Sequence, residues 1–266
     1  MKSPREPSRP DDADQTLPED LVDALQTATR VAVLTGAGIS AESGIPTFRD
    51  ALTGLWAKHD PMTLASPEGF ARDPALVWQW YQWRRELINR STPNAGHRAL
   101  AELAIHFGTF ILITQNVDGF HQLADSKDVL ELHGNIARTV CSVTRRPIDP
   151  EWIERHRDQE PPPSPHSREG LARPDVVWFG EALDEKTLEA AFAAAADCEL
   201  MLVVGTAGAV HPAASLPSIA RRSGADIVEI NPADTELSHL ARWRLRGPSS
   251  LWLPRILAAM NEMNHV

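Results

Sequence analysis

Apolar positions fall into two patterns along this chain, short aliphatic runs and stretches with helical spacing. The aliphatic runs predict buried β-strands at Val31 to Thr35, Thr109 to Thr114, Leu200 to Val204 and Asp226 to Ile230. Between them, apolar residues recur every three or four positions, as on one face of an amphipathic helix. Because strands alternate with helices, the pattern predicts an α/β fold with a doubly wound parallel sheet.

Several helices have recognisable starts in the sequence. Asp73 followed by Pro74 is typical of an N-cap and a first helical residue, and predicts a helix that runs to Arg90. Further helices are predicted from Pro18, from near Pro93 towards the second strand, over Asp184 to Ala196 and over Ala213 to Arg222. Short extended segments are predicted over Val129 to His133 and Ile136 to Cys141, and a further strand over Val176 to Phe179.

Two segments depart from this pattern. Residues 1–17 are rich in proline and charge and carry few apolar residues, which predicts a disordered tail. Residues 141–174 are rich in proline, arginine, glutamate and histidine, which predicts a small inserted subdomain with little core. The remaining residues, 18–140 and 175–262, form the predicted sheet domain, with an inserted helical region at about 51–92.

Composition argues against several classes of protein. The chain has 266 residues and a formal net charge of −10, which argues against general nucleic-acid binding. Its two cysteines, Cys141 and Cys198, provide no disulfide framework and favour a reducing compartment. No apolar run approaches the ~20 residues needed to cross a bilayer, and no targeting segment is recognisable. We expect a cytoplasmic monomer with neither a membrane nor a direct nucleic-acid partner.

Polar or glycine-rich turns directly follow four of the predicted strands. They are Gly36-Ala37-Gly38, Gln115-Asn116, Gly205-Thr206 and Asn231. In a parallel sheet these turns lie at one edge, where the ligands of doubly wound sheets bind. Closely spaced glycines also let backbone N–H groups approach a phosphate, although one such turn alone serves backbone geometry just as often. The four turns together therefore predict a nucleotide site.

The segment after the first glycine turn does not continue as a long helix, because Gly44 and Pro46 interrupt it. The loop that follows carries an aromatic residue, a cation and an anion, Phe48, Arg49 and Asp50. We predict that this loop covers the bound ligand.

Six motifs, in this order, resemble those of the sirtuins, the NAD-dependent protein-lysine deacylases. They are GAGISAESGIPTFRD at 36–50, TQNVDGFHQLA at 114–124, ELHGNIARTVC at 131–141, VVWFGE at 176–181, GTAGAVHPA at 205–213 and EIN at 229–231. The resemblance runs from about Val31 to Pro254. It implies a Rossmann-like NAD-binding domain, NAD as a consumed co-substrate and acyl-lysine proteins or peptides as partners.

The resemblance also implies a reaction. The acyl-lysine carbonyl oxygen attacks C1′ of the nicotinamide ribose, and the products are nicotinamide, O-acyl-ADP-ribose and free lysine. His133, in ELHGN, matches the catalytic base that deprotonates a ribose hydroxyl, a task that suits a neutral imidazole. Asn116, the second catalytic candidate, and Asp118 match residues around the nicotinamide and its ribose.

The cofactor-binding residues that the resemblance implies lie in four of the six motifs. They are Gly36, Ala37, Gly38, Ser40, Ile45, Phe48, Arg49, Gln115, Asn116, Asp118, Gly205, Thr206 and Asn231. Two departures from the commonest family pattern fall nearby, Ala207 where a serine is usual and His211 where a tyrosine is common. We expect them to weaken NAD binding at most.

A larger departure concerns metal. Sirtuins usually hold a structural zinc with two cysteine pairs, and such sites need four nitrogen or sulfur ligands. This chain keeps only Cys141, with Thr144 three residues on and the later pair replaced in the region of residues 165–168. His156 and His166 are spaced too loosely to complete the set. We therefore expect no zinc, and a subdomain held by packing of Ile148, Trp152, Ile153 and Leu171.

Substrate contacts are implied by three further features. Tyr81 and Arg84 share one face of the predicted helix, which for an ordinary helix indicates a core tyrosine and a surface arginine. Their Y-x-x-R spacing ahead of PNAGHRAL resembles the sirtuin subgroup that removes succinyl and malonyl groups, in which the pair binds the distal carboxylate. Ala65 then leaves room for a longer acyl chain. The remaining implied substrate residues pair with the substrate backbone as an added strand, and are Val177, Phe179 and Gly180.

Two kinds of alternative function stay open at this point. One is a plain deacetylase or an ADP-ribosyltransferase on the same fold. The other is a non-enzymatic module that binds NAD or ADP-ribose for regulation. The presence of His133, Asn116 and Asp118 weighs against such a module, because a pure binder has no need of a base.

Overall fold

The computed structural model describes residues 16–46 and 60–263. Its helices are α1 (Glu19–Thr27), α2 (Gly38–Ala41), α3 (Pro61–Leu64), α4 (Pro67–Arg72), α5 (Pro74–Asn89), α6 (Ala95–Leu103), α7 (Phe120–Leu123), α8 (Pro150–Arg155), α9 (Glu185–Asp197), α10 (Leu216–Arg222) and α11 (Ser249–Met263). Its strands are β1 (Arg30–Thr35), β2 (Thr109–Thr114), β3 (Leu130–Glu131), β4 (Gly134–Cys141), β5 (Ala172–Val176), β6 (Leu200–Val204), β7 (Asp226–Asn231) and β8 (Trp243–Arg246). The predicted tail lies almost entirely outside the described residues, as does the predicted covering loop.

Six strands form one parallel sheet in the order β3-β2-β1-β6-β7-β8. The chain builds outward from β1 to β3, then returns to the other side of β1 and builds outward again from β6 to β8. This reversal confirms the predicted doubly wound α/β fold. It also creates a topological switch point between β1 and β6, where the loops leaving the two strands diverge.

Both faces of the sheet are covered by helices, which explains why its strands are apolar throughout. Val31 and Val33 of β1 pack on one face with α1, α6 and α11. Ala32 and Leu34 point to the opposite face, where they pack with α9 and α10. No helix in the described residues is both long and apolar enough to cross a membrane.

The predicted helix over residues 74–90 is confirmed as α5. The Asp73 side chain accepts a hydrogen bond from the Leu76 N–H at 3.0 Å, so Asp73 is the N-cap that the sequence indicates. This helix, with α4, packs through a third apolar cluster on Phe120 of α7 and Trp178. The inserted helical region therefore stands over the carboxyl edge of the sheet.

The predicted strand from Val176 to Phe179 is wrong. The extended segment there is β5, which ends at Val176 and pairs antiparallel with β4 in a separate two-stranded sheet. The chain then turns, with Gly180 at φ +89°, and buries Trp178 against Phe70 at a ring separation of 5.2 Å. The apolar run reflects burial in an aromatic cluster and not a strand of the main sheet. Because it pairs with β5, the whole of β4 as far as Cys141 belongs to this small sheet and not to the main sheet.

Two elements at the end of the chain, β8 and α11, were not predicted. In β8 the buried residues Trp243 and Leu245 alternate with arginines, so the strand has no aliphatic run. In α11 Pro254 lies inside the helix and hides the helical pattern.

The small subdomain packs in a compact apolar cluster that also includes Trp78 of α5. Ile148 is buried there beside Cys141 and Ala172, and Trp152 and Ile153 pack against them. Leu171 was predicted to join this cluster but packs instead on the aromatic cluster of the helical region, since it directly precedes β5.

The residues where a zinc would be expected do not fit the metal. Ser164 and Ser167 are three residues apart, a spacing that is common for a zinc-binding cysteine pair. Cys141 and Thr144 have the same spacing. A Cβ added at Gly170 would lie 2.7 Å from Cys141 Sγ, 3.0 Å from Ser167 Cβ and 3.2 Å from Ser164 Cβ, so these side chains converge on one point. Neutral hydroxyls are not zinc ligands, however. Within the described ranges, no group of three histidine, cysteine or acidic side chains could hold a metal ion.

The side chains that converge here are joined by hydrogen bonds. The Thr144 N–H donates to Cys141 Sγ at 3.4 Å. Burial alone would raise the pKa of Cys141, but hydrogen bonds from the Ser164 hydroxyl and from Thr144 outweigh it and lower the pKa to about 7. The thiol is thus held by protein donors.

We predict that the purified protein contains no stoichiometric zinc, and that its thermal unfolding midpoint is the same with and without chelator. The reason is that no metal-binding energy contributes to folding here. Metal analysis and calorimetry test this. About one zinc per chain, released by Cys141→Ser, would contradict it.

Candidate active site

The glycine turns after β1 and β6 contact each other at the switch point. The Gly38 N–H donates to the Gly205 carbonyl at 2.8 Å. A Cβ added at Gly38 would lie 2.7 Å from Gly205 Cα, and Gly205 itself has φ of +60°, so neither position accommodates a side chain easily. A Cβ at Gly36 would meet the Gly205 oxygen at 2.8 Å. This bare backbone fits the close approach of a dinucleotide pyrophosphate.

A cavity of about 880 Å³ opens at this edge of the sheet. Its volume suits a small-molecule ligand. The predicted cofactor-binding residues that line it are Gly36, Ala37, Gly38, Ser40, Ile45, Gln115, Asn116, Asp118, Gly205, Thr206 and Asn231. His133 and the predicted substrate residues Ala65, Tyr81, Arg84, Val177, Phe179 and Gly180 line it as well. Phe48 and Arg49 lie outside the described residues.

His133 reaches the cavity from the turn between β3 and β4, with one ring nitrogen fixed. Its Nδ1 lies 2.9 Å from the Gln115 carbonyl oxygen, which is an acceptor, so Nδ1 carries the proton. Nε2 is then left unprotonated and available to a ligand. Burial lowers the pKa of His133, and the hydrogen bond to Gln115 offsets only part of this effect. The ring is therefore neutral at neutral pH, as a general base requires.

Asn116 and Asp118 are tied together by Ser40 at the floor of the cavity. The Asn116 side-chain amide donates to the Gly36 carbonyl at 3.1 Å and to the Ser40 hydroxyl at 3.3 Å. The Asp118 carboxylate accepts from the Ser40 hydroxyl at 2.8 Å and from the Phe120 N–H at 2.9 Å. Burial raises the pKa of Asp118 despite these two bonds, which lower it. Both amide protons of Asn116 are used within the protein, so its Oδ1 is the atom left for a ligand.

The turns after β2, β6 and β7 are joined by amide side chains. The Gln115 side chain donates to the Thr206 hydroxyl at 3.0 Å. The Asn231 side chain donates to the Thr206 carbonyl at 3.3 Å. These bonds hold the far end of the cavity, where the resemblance places the adenosine side of NAD.

Tyr81 and Arg84 lie together on the wall that α5 contributes. The Tyr81 hydroxyl is buried and accepts from the Trp178 Nε1–H at 2.9 Å, which leaves its own proton free to donate. The Arg84 guanidinium carbon lies 5.0 Å from the Trp80 ring centroid and 5.5 Å from that of Tyr81. Burial lowers the pKa of Arg84, although a guanidinium stays charged in proteins. Arg84 is therefore a cavity residue and not the surface arginine of an ordinary helix.

The segment after β5 is already hydrogen-bonded within the protein. The Val177 N–H donates to the His133 carbonyl at 3.0 Å, and the Phe179 N–H donates to the Ala65 carbonyl at 2.9 Å. A substrate strand that used these two N–H groups would have to displace the bonds. Gly180 has open space where a side chain would be, so it is the most accessible of the three predicted residues to an approaching backbone.

An ion pair between a buried arginine and a partly exposed glutamate, which was not predicted, holds this segment in place. Arg173 is 3% exposed, and its guanidinium binds both carboxylate oxygens of Glu181, at 2.6 and 2.8 Å. Glu181 also accepts from the Trp178 N–H at 2.8 Å, and the Arg173 guanidinium lies 3.3 Å from the Trp178 ring centroid. Glu181 lies in the VVWFGE motif, but nothing in the sequence indicates that Arg173 is its partner.

Four further polar residues behind the cavity floor were missed: Thr35, His97, Thr114 and His121, each at most 2% exposed. Thr114 and His121 belong to TQNVDGFHQLA, which was the available signal. Their partners are distant in the chain, and the motif gives no indication of them.

Fold and site together define a dinucleotide-binding protein with a base, an amide and a carboxylate at its switch point. The Sir2 family model matches residues 36–212. The chain is 48% identical over 242 residues to NAD-dependent protein deacylase 1 of Pseudomonas aeruginosa, covering 89% of this chain and 96% of the relative. It is 50% identical over 228 residues to an NAD-dependent protein deacylase of Thermus thermophilus, covering 84% and 87%. The chain belongs to the Sir2 family, the sirtuins.

Solved structures of the family have the same fold. A crystal structure of a Sir2 homologue with NAD superposes with a TM-score of 0.83 at 39% identity, covering 93% of this chain and 95% of the other. A Sir2 mutant bound to a p53 peptide and NAD gives a TM-score of 0.80 at 30% identity, covering 93% and 99%. The prediction of NAD as co-substrate is confirmed at the level of the family.

We predict that Gly38→Ala lowers stability by roughly 1–3 kcal/mol through overpacking, and also weakens NAD binding. The added methyl meets the backbone of Gly205, so the two turns must separate. Urea unfolding with and without NAD measures both effects.

Gly224→Ala is the matched control. Gly224 has φ of +100° and no neighbour within 4 Å of an added Cβ, so this change adds backbone strain without a contact. It should lower stability and leave the NAD-induced stabilisation intact. If Gly38→Ala bound NAD as wild type does, the glycine contact would have no part in the nucleotide site.

Proposed function

We propose that this protein is an NAD-dependent protein-lysine deacylase that favours acyl groups ending in a carboxylate, such as succinyl and malonyl. The deacylase activity is supported by membership of the Sir2 family, by the names of the relatives and by the base, amide and carboxylate at the cavity. The acyl preference is supported by one observation in particular, a charged Arg84 in the cavity wall.

Arg84 has aromatic neighbours but, among the described residues, forms no direct ion pair with a carboxylate, and Asp118 raises its pKa only as a more distant charge. A partly buried cation without a directly bonded anion is costly, because its desolvation is not offset by a charge-assisted hydrogen bond. A ligand carboxylate would supply that partner, and the planar guanidinium fork matches it geometrically. An acetyl group ends in a methyl and offers nothing equivalent.

Tyr81 and Ala65 favour the same ligand. The Tyr81 hydroxyl proton is free to donate, since its oxygen is fixed by Trp178. Ala65 lines the cavity with a single methyl group, which leaves room for a longer acyl chain. Together with Arg84 they form one end of the cavity, next to the segment where Gly180 is open to a substrate backbone.

The residues around His133 suit the chemistry of deacylation. NAD supplies an electrophilic ribose carbon with nicotinamide as the leaving group. Nε2 of His133 is in the protonation state that accepts a proton from a ribose hydroxyl. Asn116 Oδ1 and the Asp118 carboxylate are acceptors fixed by Ser40, and they orient the polar groups of the ligand.

We predict that His133→Ala and His133→Tyr abolish deacylation while NAD binding survives. The measurement is nicotinamide release from an acylated peptide, with NAD binding followed by calorimetry. The wild-type rate should fall on the acid side only below the usual histidine value of about 6.5. The reason is that burial lowers the pKa of His133, and the base is lost only when the ring is protonated. Wild-type turnover by either variant would contradict the assignment.

We predict that Arg84→Met lowers the specificity constant for desuccinylation by about 10- to 150-fold, the value of one charged hydrogen bond. Deacetylation should stay similar or rise, since an acetyl group loses no partner. One peptide carrying acetyl, malonyl, succinyl or glutaryl lysine supplies the comparison. Tyr81→Phe should act in the same direction but less strongly.

Arg85→Met is the matched control on the next residue of α5. Arg85 donates to the backbone carbonyl of Ile136 at 2.6 Å and to that of Arg138 at 2.9 Å, so its loss affects structure and not the acyl pocket. It should reduce all activities alike. An equal loss of all activities in Arg84→Met would make Arg84 structural too and the enzyme a general deacylase.

A further inference from the structure

A line of buried hydrogen bonds runs from His121 to the floor of the cavity. His121 Nε2 lies 2.9 Å from Thr35 Oγ1, and the Thr35 hydroxyl donates to Thr114 Oγ1 at 2.8 Å. Thr114 Oγ1 also accepts from the backbone N–H of Asn116 at 3.0 Å. Since the Thr35 proton goes to Thr114, the Thr35 oxygen accepts from a protonated His121 Nε2.

The last hydrogen bond of this line involves a peptide group whose carbonyl also binds His133, the proposed base. The Asn116 N–H and the Gln115 carbonyl belong to one peptide unit, which is planar and rigid. Its N–H donates to Thr114, and its carbonyl accepts from His133 Nδ1 at 2.9 Å. The direction of this carbonyl therefore determines which nitrogen of His133 carries the proton.

His121 is an unusual residue to bury for packing alone. It is 1% exposed, and its Nδ1 has no hydrogen-bond partner among the described residues. Burial, with a smaller contribution from His97, lowers the pKa of His121 to about 3, so the ring is a neutral donor throughout the working range of an enzyme. A phenylalanine of similar size would fill this space without leaving a buried nitrogen unpaired. The bond from Nε2 to Thr35 is what the histidine adds.

We propose that His121 is a positioning residue, which acts through Thr35 and Thr114 to fix the Gln115–Asn116 peptide unit and through it the tautomer and orientation of His133. The line of hydrogen bonds also polarises the peptide group and strengthens the carbonyl as an acceptor. The same unit carries Asn116, so one buried line supports both the base and the amide. This inference rests on the proposed deacylase function only for its kinetic readout.

The first test compares three substitutions of His121. His121→Phe removes the donor and should lower kcat roughly 10- to 100-fold through misplacement of the base, with little change in KM for the peptide. His121→Gln carries an N–H at the reach of Nε2 and should recover most of the activity. His121→Asn, whose amide corresponds to Nδ1, should not. His106→Phe makes the same chemical change at the opposite edge of the sheet, before β2, and should leave kcat unchanged.

The second test asks whether the members act as one line. Thr114→Val removes the acceptor and should cost about as much activity as His121→Phe. The double variant His121→Phe/Thr114→Val should cost no more than either single change, because the line is already broken. Fully additive losses would overturn the proposal.

The third test does not depend on turnover. Nitrogen-15 NMR of the His133 ring, assigned by its absence in His133→Ala, reports which nitrogen is protonated. Wild type should show the Nδ1–H form, and His121→Phe should show a mixture of both neutral forms. If His121→Phe shows this spectral change but the wild-type protein has no deacylase activity, only the proposed deacylase function is overturned. An unchanged His133 spectrum with wild-type kcat, or losses in all three His121 variants that follow only their unfolding midpoints, would overturn the positioning role.

Discussion

The contact between the glycine turns of β1 and β6 is the constraint on which the site depends. Gly38 and Gly205 approach within hydrogen-bonding distance across the switch point, and an added Cβ would separate them. This contact fixes where β1 and β6 end relative to each other. It thereby sets the distance between the turns that carry Ser40 and Thr206. The glycines thus shape the cavity as well as its phosphate-binding surface.

Burial shifts the pKa of three functional groups that line the cavity. Burial is the main influence on the pKa of His133, Asp118 and Arg84, and in each case it disfavours the charged form. For His133 the result is a neutral base, and for Arg84 a cation that gains by pairing with an anion. Burial therefore serves both catalysis and acyl selection. In water, His133 and Arg84 would be solvated and would gain less from contact with a ligand.

Predictions from the sequence were most accurate for features that depend on residues close together in the chain. The aliphatic strands, the glycine turns and the Asp73 cap all act within a few residues, and the structure has each of them. The strand placed over VVWF was wrong because an apolar run reports burial and not pairing partners. Arg173 with Glu181, and His121 with Thr35, depend on side-chain contacts made only by the fold; the latter pair is 86 residues apart. No local pattern encodes such a contact.

The point occupied by Cys141, Thr144, Ser164 and Ser167 has a consequence for chemical resistance. A metal knuckle built from cysteine pairs fails when an oxidant joins its thiols into disulfides and expels the ion. Here one thiol stands among three hydroxyls, and the other cysteine of the chain, Cys198, is buried against the main sheet. Oxidants therefore find no pair of thiols to join in this subdomain.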